Sequence, residues 1–397
     1  MTKSQIREFL FEAKHRTGLL VAVATVAVFL YMGVGAVAQS KSTLSALPPT
    51  PQAPKDNPTT PAKVALGRLL FWDPLLSGPQ DVACASCHHP QNGYAEDRDL
   101  SLGVTAIGLG SKRRQAPGSS IPIVKRNSPT VVNIAFSGSD ESGRYDPATA
   151  PMFWDLRVKS LEKQALEPLK AHEEMRGTTY KEDEAVASVV AKLQANAEYR
   201  SLFAGAFGSE QPVNAENLGR AIAAFERTLL ANNSPFDRYM RGDRSAMTEE
   251  QVSGMRRFES VGCVKCHNGP MFSDYKLHVM GVPDNPALPA SDDGAEKTYA
   301  FRTASLRNLA FTAPYEHNGM FRTLSDVVGF YEDARGGRSR NPNVSSEKLD
   351  PLIRELGDFD EEDVDLVEFL RALSDDSFDR TIPERVPSGL PVGGKIQ

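Results

Sequence analysis

The chain has 397 residues, with 45 lysines and arginines against 51 aspartates and glutamates, a net charge of −6 and 40% hydrophobic residues. That length supports two or three domains and a sizeable core. The acidic balance argues against nucleic acid as a partner, because such a partner needs a concentrated basic surface.

The first forty residues stand apart. Lys3, Arg7, Lys14 and Arg16 precede an uncharged apolar run from Gly18 to Ala38. Positive charge stays on the cytoplasmic side, so the remainder of the chain is expected outside the cytoplasm, in the periplasm. The run is long enough to span a bilayer as a helix. It also ends in Ala36-Val37-Ala38, which suits a signal-peptidase cut before Gln39. Residues 1–40 therefore read as a cleaved leader or a retained membrane anchor, and both give the same compartment.

Residues 41–61 carry Pro48, Pro49, Pro51, Pro54, Pro58 and Pro61 and read as an extended tether. The folded part is expected from residue 62, where Val64, Leu66, Leu69 and Leu70 give a helix-like apolar pattern. Further along, Leu218, Ile222, Phe225 and Leu229 mark one helix face, and Val364, Val367, Leu370 and Leu373 another. The second helix is entered through the acidic run Asp360-Glu361-Glu362-Asp363, which favours an N-terminus. No sustained period-two alternation appears, so the chain reads as mostly α.

A weak internal repeat accompanies these helices. Cys84-Ala85-Ser86-Cys87-His88 and Cys263-Val264-Lys265-Cys266-His267 are both C-x-x-C-H, the attachment signature of a c-type haem. The cysteines can add to the haem vinyl groups while the histidine reaches the iron. A structural zinc site needs four ligands, and a redox dithiol needs a βαβ setting that is missing here. The two motifs consume all four cysteines of the chain. The reading is thus two cytochrome c-like helical domains, each with one covalent haem c: residues 62–235 and 236–380, divided near Ser234-Pro235, with a tail at 381–397.

Around these motifs the sequence resembles the bacterial dihaem cytochrome c peroxidase family, which includes the MauG-type enzymes. The carrying stretches are Leu70-Phe71-Trp72-Asp73-Pro74-Leu75-Leu76-Ser77, Arg126-Asn127-Ser128-Pro129-Thr130-Val131-Val132-Asn133, Met152-Phe153-Trp154-Asp155-Leu156-Arg157 and Leu161-Glu162-Lys163-Gln164. In the second half they are Leu306-Arg307-Asn308, Thr312-Ala313-Pro314-Tyr315-Glu316-His317-Asn318-Gly319 and Thr323-Leu324.

The resemblance implies a peroxide site at the first haem and an electron-passing second haem. His88 and His267 would be the iron ligands, with Gln164, Pro168 and Glu174 facing the open side of the first iron. Glu174 would shuttle the peroxide proton while Gln164 orients peroxide or water. Trp154 matches the tryptophan between the haems. Asn127, Thr312 and Pro314 match positions whose oxygens hold a calcium ion, a hard cation suited to such donors. The expected partners are hydrogen peroxide and a small redox protein, a cytochrome c or a cupredoxin.

Two departures set the subtype. Many family members cap the first iron with a histidine from the loop after the first motif, yet no histidine occurs between His89 and His172. The first haem is therefore expected to be open without prior reduction. At the position of the peroxidases' axial methionine stands Tyr331, as in MauG-type enzymes. Met320, Met280 and Met271 are rival ligands, and His317 and His278 read as packing residues. The tyrosine brings MauG-like oxidation of a protein or other substrate into contention with cytochrome c peroxidase activity. A plain electron-transfer dihaem cytochrome is the rival outside enzymes. A polar insertion from Ser137 to Arg144 is expected near the entrance to the first haem, and Leu156 replaces a glycine common in the tryptophan motif.

Overall fold

The computed structural model describes residues 43–208 and 210–397. The basic start and the apolar run, and with them the leader-or-anchor reading, lie outside the described residues. No helix among the described residues is long and apolar enough to cross a membrane. Residues 43–397 cluster as one compact unit.

Nine α-helices carry the described fold: α1 (Pro61–Trp72), α2 (Leu161–Gln164), α3 (Glu182–Ala195), α4 (Ala197–Phe207), α5 (Ala215–Glu226), α6 (Pro235–Met240), α7 (Glu249–Ser260), α8 (Leu324–Arg335) and α9 (Val364–Arg371). Strand is confined to three antiparallel pairs of two residues each: Ala106–Ile107 with Arg114–Gln115, Pro151–Met152 with Val158–Lys159, and Leu277–His278 with Phe301–Arg302. The mostly α reading holds.

Helix starts follow local chemistry. Thr60 accepts from the Lys63 N–H with Pro61 in the first turn, Asn214 caps α5, and Thr248 with Gln251 forms a capping box on α7. On α5, Leu218, Ile222 and Phe225 are buried as the periodicity requires, with Leu229 just past its end. On α9 the expected face holds at Val367, Leu370 and Leu373 and fails at Val364. Val364 is 66% exposed, and Leu366, Val367, Phe369 and Leu370 are the buried residues. Leu366 and Phe369, absent from the sequence pattern, point inward because α9 packs along α7.

The two halves repeat one device. In each half two helices cross where a glycine removes a side chain. A Cβ on Gly67 of α1 would stand 1.9 Å from the Ala221 carbonyl oxygen of α5, and one on Gly254 of α7 would stand 1.9 Å from that of Asp365 on α9. Each haem motif opens with a 3-10 turn, Cys84–Ser86 and Cys263–Lys265. Farther on, Asn133-Ile134-Ala135-Phe136 and Asn308-Leu309-Ala310-Phe311 both start from a left-handed asparagine and continue as a 3-10 turn. Asn133 donates its backbone N–H to Leu229 O and accepts from Ala231 N. Asn308 does the same with Leu373 O and Asp375 N. Separate apolar cores back the two halves, one around Leu66, Leu70, Leu218 and Ile222, the other around Phe258, Phe272, Leu366 and Phe369. Each such buried side chain contributes roughly 1.5–3 kcal/mol.

The flanking segments are packed against this frame. The proline-rich stretch is extended, but Leu44 and Leu47 are buried and Leu47 N–H donates to Asp237 in α6, so it is no free tether. The tail also returns: Val386 is buried, Gly393 N–H donates to Trp72 O, and Ser86 Oγ donates to Gly393 O beneath the first haem motif.

Candidate functional site

Each haem motif opens onto a cavity, ≈ 390 Å³ in the first half and ≈ 250 Å³ in the second. Cys84, Cys87 and His88 line the first; Cys263, Cys266 and His267 line the second. His88 Nδ1 lies 3.1 Å from Tyr94 O, and His267 Nδ1 lies 2.9 Å from Phe272 O. A ring nitrogen tied to a backbone carbonyl carries the proton and leaves Nε2 as the donor for a metal. Burial lowers the pKa of both imidazoles, which favours the neutral, ligating form. All four thiols are free. Two paired thiols and one pre-oriented imidazole on each of two walls fit covalent haem.

Gln164, Pro168 and Glu174 line the first cavity together with Trp154. Gln164 closes α2. Glu174 sits on a π-helical turn, His172–Arg176, a geometry frequent at functional sites. The turn is held by Val104 N–H donating to Glu174 O at 2.9 Å and Gly78 N–H donating to Met175 O at 2.7 Å. Burial pushes the Glu174 carboxyl up to about 7, with the neighbouring Glu173 adding to the shift. His172 does not line this cavity; His88 is its one imidazole among the described residues.

Asn127, Pro129, Thr130, Ile134, Trp154 and Arg302 line both cavities and so form the wall between them. Trp154 is 8% exposed; its Nε1–H donates to Asn127 O at 3.0 Å, and Arg302 N–H donates to Trp154 O at 2.8 Å. Arg126 clamps the wall by bonding Asp155 at 2.6 Å and Asp292 at 2.5 Å. Arg302 and Arg126 escaped the sequence reading. Arg126 opens a quoted motif, but no residue signal marks Arg302, whose place depends on the Phe301–Arg302 strand alone.

In the second cavity Tyr331, Met271 and Met280 all face inward, whereas Met320 does not line it. The Tyr331 phenol has no hydrogen-bond partner among the described residues, and burial pushes its pKa well up. Met271 instead packs with Leu47 and Phe136. His317 stacks on Phe301 at 3.6 Å, and His278 is held by Asp350 at 2.7 Å and Asp274 at 3.1 Å. Asn127, Thr312 and Pro314 each line this cavity.

The insertion from Ser137 to Arg144 stands elsewhere than expected. Ser137 lines the second cavity, and a Cβ on Gly269 would meet Asp140 O at 2.9 Å. The loop is pinned by Asp140 bonds to Ser142 and Arg144 and covers the chain just after His267. Leu156 adopts φ 57°, the left-handed conformation that glycine takes without strain.

Residues 61–245 match the family described as di-haem cytochrome c peroxidase. The chain is 35% identical to the cytochrome-c peroxidase IdrP1 of Pseudomonas sp. strain SCT, over 90% of this chain and 91% of that one. It is also 35% identical to the methylamine utilization protein MauG of Methylorubrum extorquens strain AM1, over 83% of each. Among solved structures, a MauG-like protein associated with microbial copper homeostasis matches with a TM-score of 0.66 and 28% identity, over 84% of this chain and 95% of that one.

Proposed function

The chain belongs to the di-haem cytochrome c peroxidase family, and from that premise we propose that it is an exported peroxidase. It reduces hydrogen peroxide in its first cavity with electrons received through its second. The observation that carries this reading is Glu174, a half-buried carboxyl with a raised pKa on the wall of the cavity that His88 enters. When bound, the two haems supply redox-active iron, one for peroxide and one for electron passage.

The chain's own residues do the rest. Cys84 and Cys87 anchor one haem and Cys263 and Cys266 the other, while His88 and His267 provide their Nε2 atoms. Gln164 orients peroxide by its amide, and Pro168 keeps that face apolar. Glu174 takes the proton from one peroxide oxygen and returns it to the departing one, so that water rather than hydroxide leaves. Trp154, in the wall common to both cavities, passes electrons between them.

The donor is a small periplasmic cytochrome c or cupredoxin. A calcium ion would be held by the side-chain oxygen of Asn127 and by oxygens of Thr312 and Pro314. In support, Asn127 Nδ2 already donates to the carbonyls of Arg98 and Asp99, which leaves its amide oxygen for a cation. Tyr331 would be the further ligand of the second iron, supported by its place on the wall of that cavity. This favours a second reading, MauG-like oxidation of a protein substrate, because a phenolate stabilises oxidised iron. A plain electron-transfer cytochrome would leave Glu174 and Gln164 without a task.

The test is steady-state oxidation of a reduced small cytochrome c by peroxide, with the protein never pre-reduced. Turnover from the first mixing supports the reading. Absence of turnover with every small cytochrome and cupredoxin offered, while peroxide still reacts, would shift it to the MauG-like activity.

A further inference from the structure

Peroxide reduction consumes two protons and two electrons as the O–O bond breaks and two waters form. Glu174 only moves a proton already carried by the peroxide, so net protons must enter from outside.

We infer that Glu162, Arg227 and Glu226 line a water-filled proton route from the surface beside α2 to the first cavity, with Glu226 as its inner end. The inference rests on the peroxidase reading of that cavity and adds how protons reach it. Glu226 closes α5, is 4% exposed and lines the first cavity. Its Oε2, Glu162 Oε2 and Arg227 Nη1 are all buried without a hydrogen-bond partner. Each such atom is costly if left bare, and buried water bridging two to four polar groups is the usual remedy. Arg227 follows Glu226 directly in the chain and pairs with Glu162, and both charges act on the Glu226 carboxyl.

The outer end is equally defined. Glu162 Oε1 accepts from Arg227 Nη2 at 2.6 Å and from Asn57 Nδ2 at 2.9 Å, and the Glu162 side chain is 16% accessible. Lys63 Nζ donates to Asn57 Oδ1 at 3.0 Å, and Arg220 pairs with Asp56 at 2.8 Å on the same rim. Arg227 and Glu162 neutralise one another, so burial dominates at Glu226 and pushes it up to about 8. A carboxyl in that range loads and releases protons at neutral pH.

The test combines a high-resolution crystal structure of the holoprotein with kinetics of Glu226→Gln, Glu226→Asp and Glu162→Gln. Ordered waters bridging Glu162, Arg227 and Glu226 are expected. Glu226→Gln should slow steady-state peroxide turnover roughly 100-fold, the lower end of what a positioned proton donor contributes. It should also enlarge the solvent deuterium isotope effect, with haem content unchanged, and Glu226→Asp should recover most of the rate. A dry pocket, or Glu226→Gln with the rate and isotope effect of the unaltered protein, would overturn the route. If the unaltered holoprotein fails to turn over peroxide, the peroxidase reading falls, and the pocket waters still decide whether the route exists.

Discussion

Trp154 donates its indole N–H to the carbonyl of Asn127 at 3.0 Å, and both residues line the first and the second cavity. The indole is thereby fixed in the wall that any electron between the two halves must cross. Trp154→Phe keeps the apolar ring and loses a hydrogen bond worth about 1 kcal/mol. Haem content should be unchanged, while the lag between oxidation of the two haems after peroxide is added to reduced protein should lengthen. Rapid-mixing spectroscopy reads that lag, and an unaltered lag would remove Trp154 from the electron path.

Glu174→Gln keeps the size of the side chain and removes its basicity. The peroxide reaction should slow by about 10²–10⁴-fold, with haem content intact. The sign of the pH dependence comes from the raised carboxyl, about 7 against an ordinary 4.5. A base works only when ionised, so the rate in the unaltered protein should rise with pH through about 7 and then level off. In Glu174→Gln that rise should vanish; a retained inflection would assign the base to another group.

Tyr331→Met replaces an oxygen donor by a thioether, which raises the potential of a haem iron. Potentiometric titration should show the second haem shifting to higher potential while the first stays where it is. An unmoved second potential would transfer the ligand role to Met280 or Met271, which share the cavity.

How far the sequence carried depended on the kind of signal. The two C-x-x-C-H motifs encode their chemistry within five residues, so both cavity walls were legible, as was the α5 face at Leu218, Ile222 and Phe225. Glu174 and Gln164 read as ordinary loop residues by themselves and became legible only through the resemblance. The rest depends on contacts across long sequence gaps. Arg302 reaches the wall because its strand pairs with Leu277–His278, and Glu226 comes under the influence of the Glu162–Arg227 pair only when α5 packs on α2. The insertion at Ser137–Arg144 was misplaced because adjacency to a first-half motif says nothing of the second-half segment, Gly269-Pro270, that it finally covers. The α9 face was right at Val367, Leu370 and Leu373 but drawn too narrow, because Leu366 and Phe369 also turn inward where α9 crosses α7 at Gly254.

Gly67→Ala tests the helix crossing that carries the first motif. Its Cβ would stand 1.9 Å from Ala221 O, so α1 and α5 must separate. The expected destabilisation is about 1–3 kcal/mol or more. It should appear as a lower thermal unfolding midpoint and poorer haem incorporation in the first half, read by mass spectrometry. An unchanged midpoint would mean that the crossing yields freely and the glycine is not required.

An open first iron beside the Glu174 carboxyl is the condition on which peroxide chemistry in this chain depends. The most direct measurement is the electron paramagnetic resonance spectrum of the fully oxidised, never-reduced holoprotein before and after mixing with hydrogen peroxide. The unaltered protein should give a high-spin ferric signal that disappears on mixing, and in Glu174→Gln that signal should persist far longer. A wholly low-spin spectrum that peroxide leaves untouched would contradict the open iron and leave the chain an electron carrier.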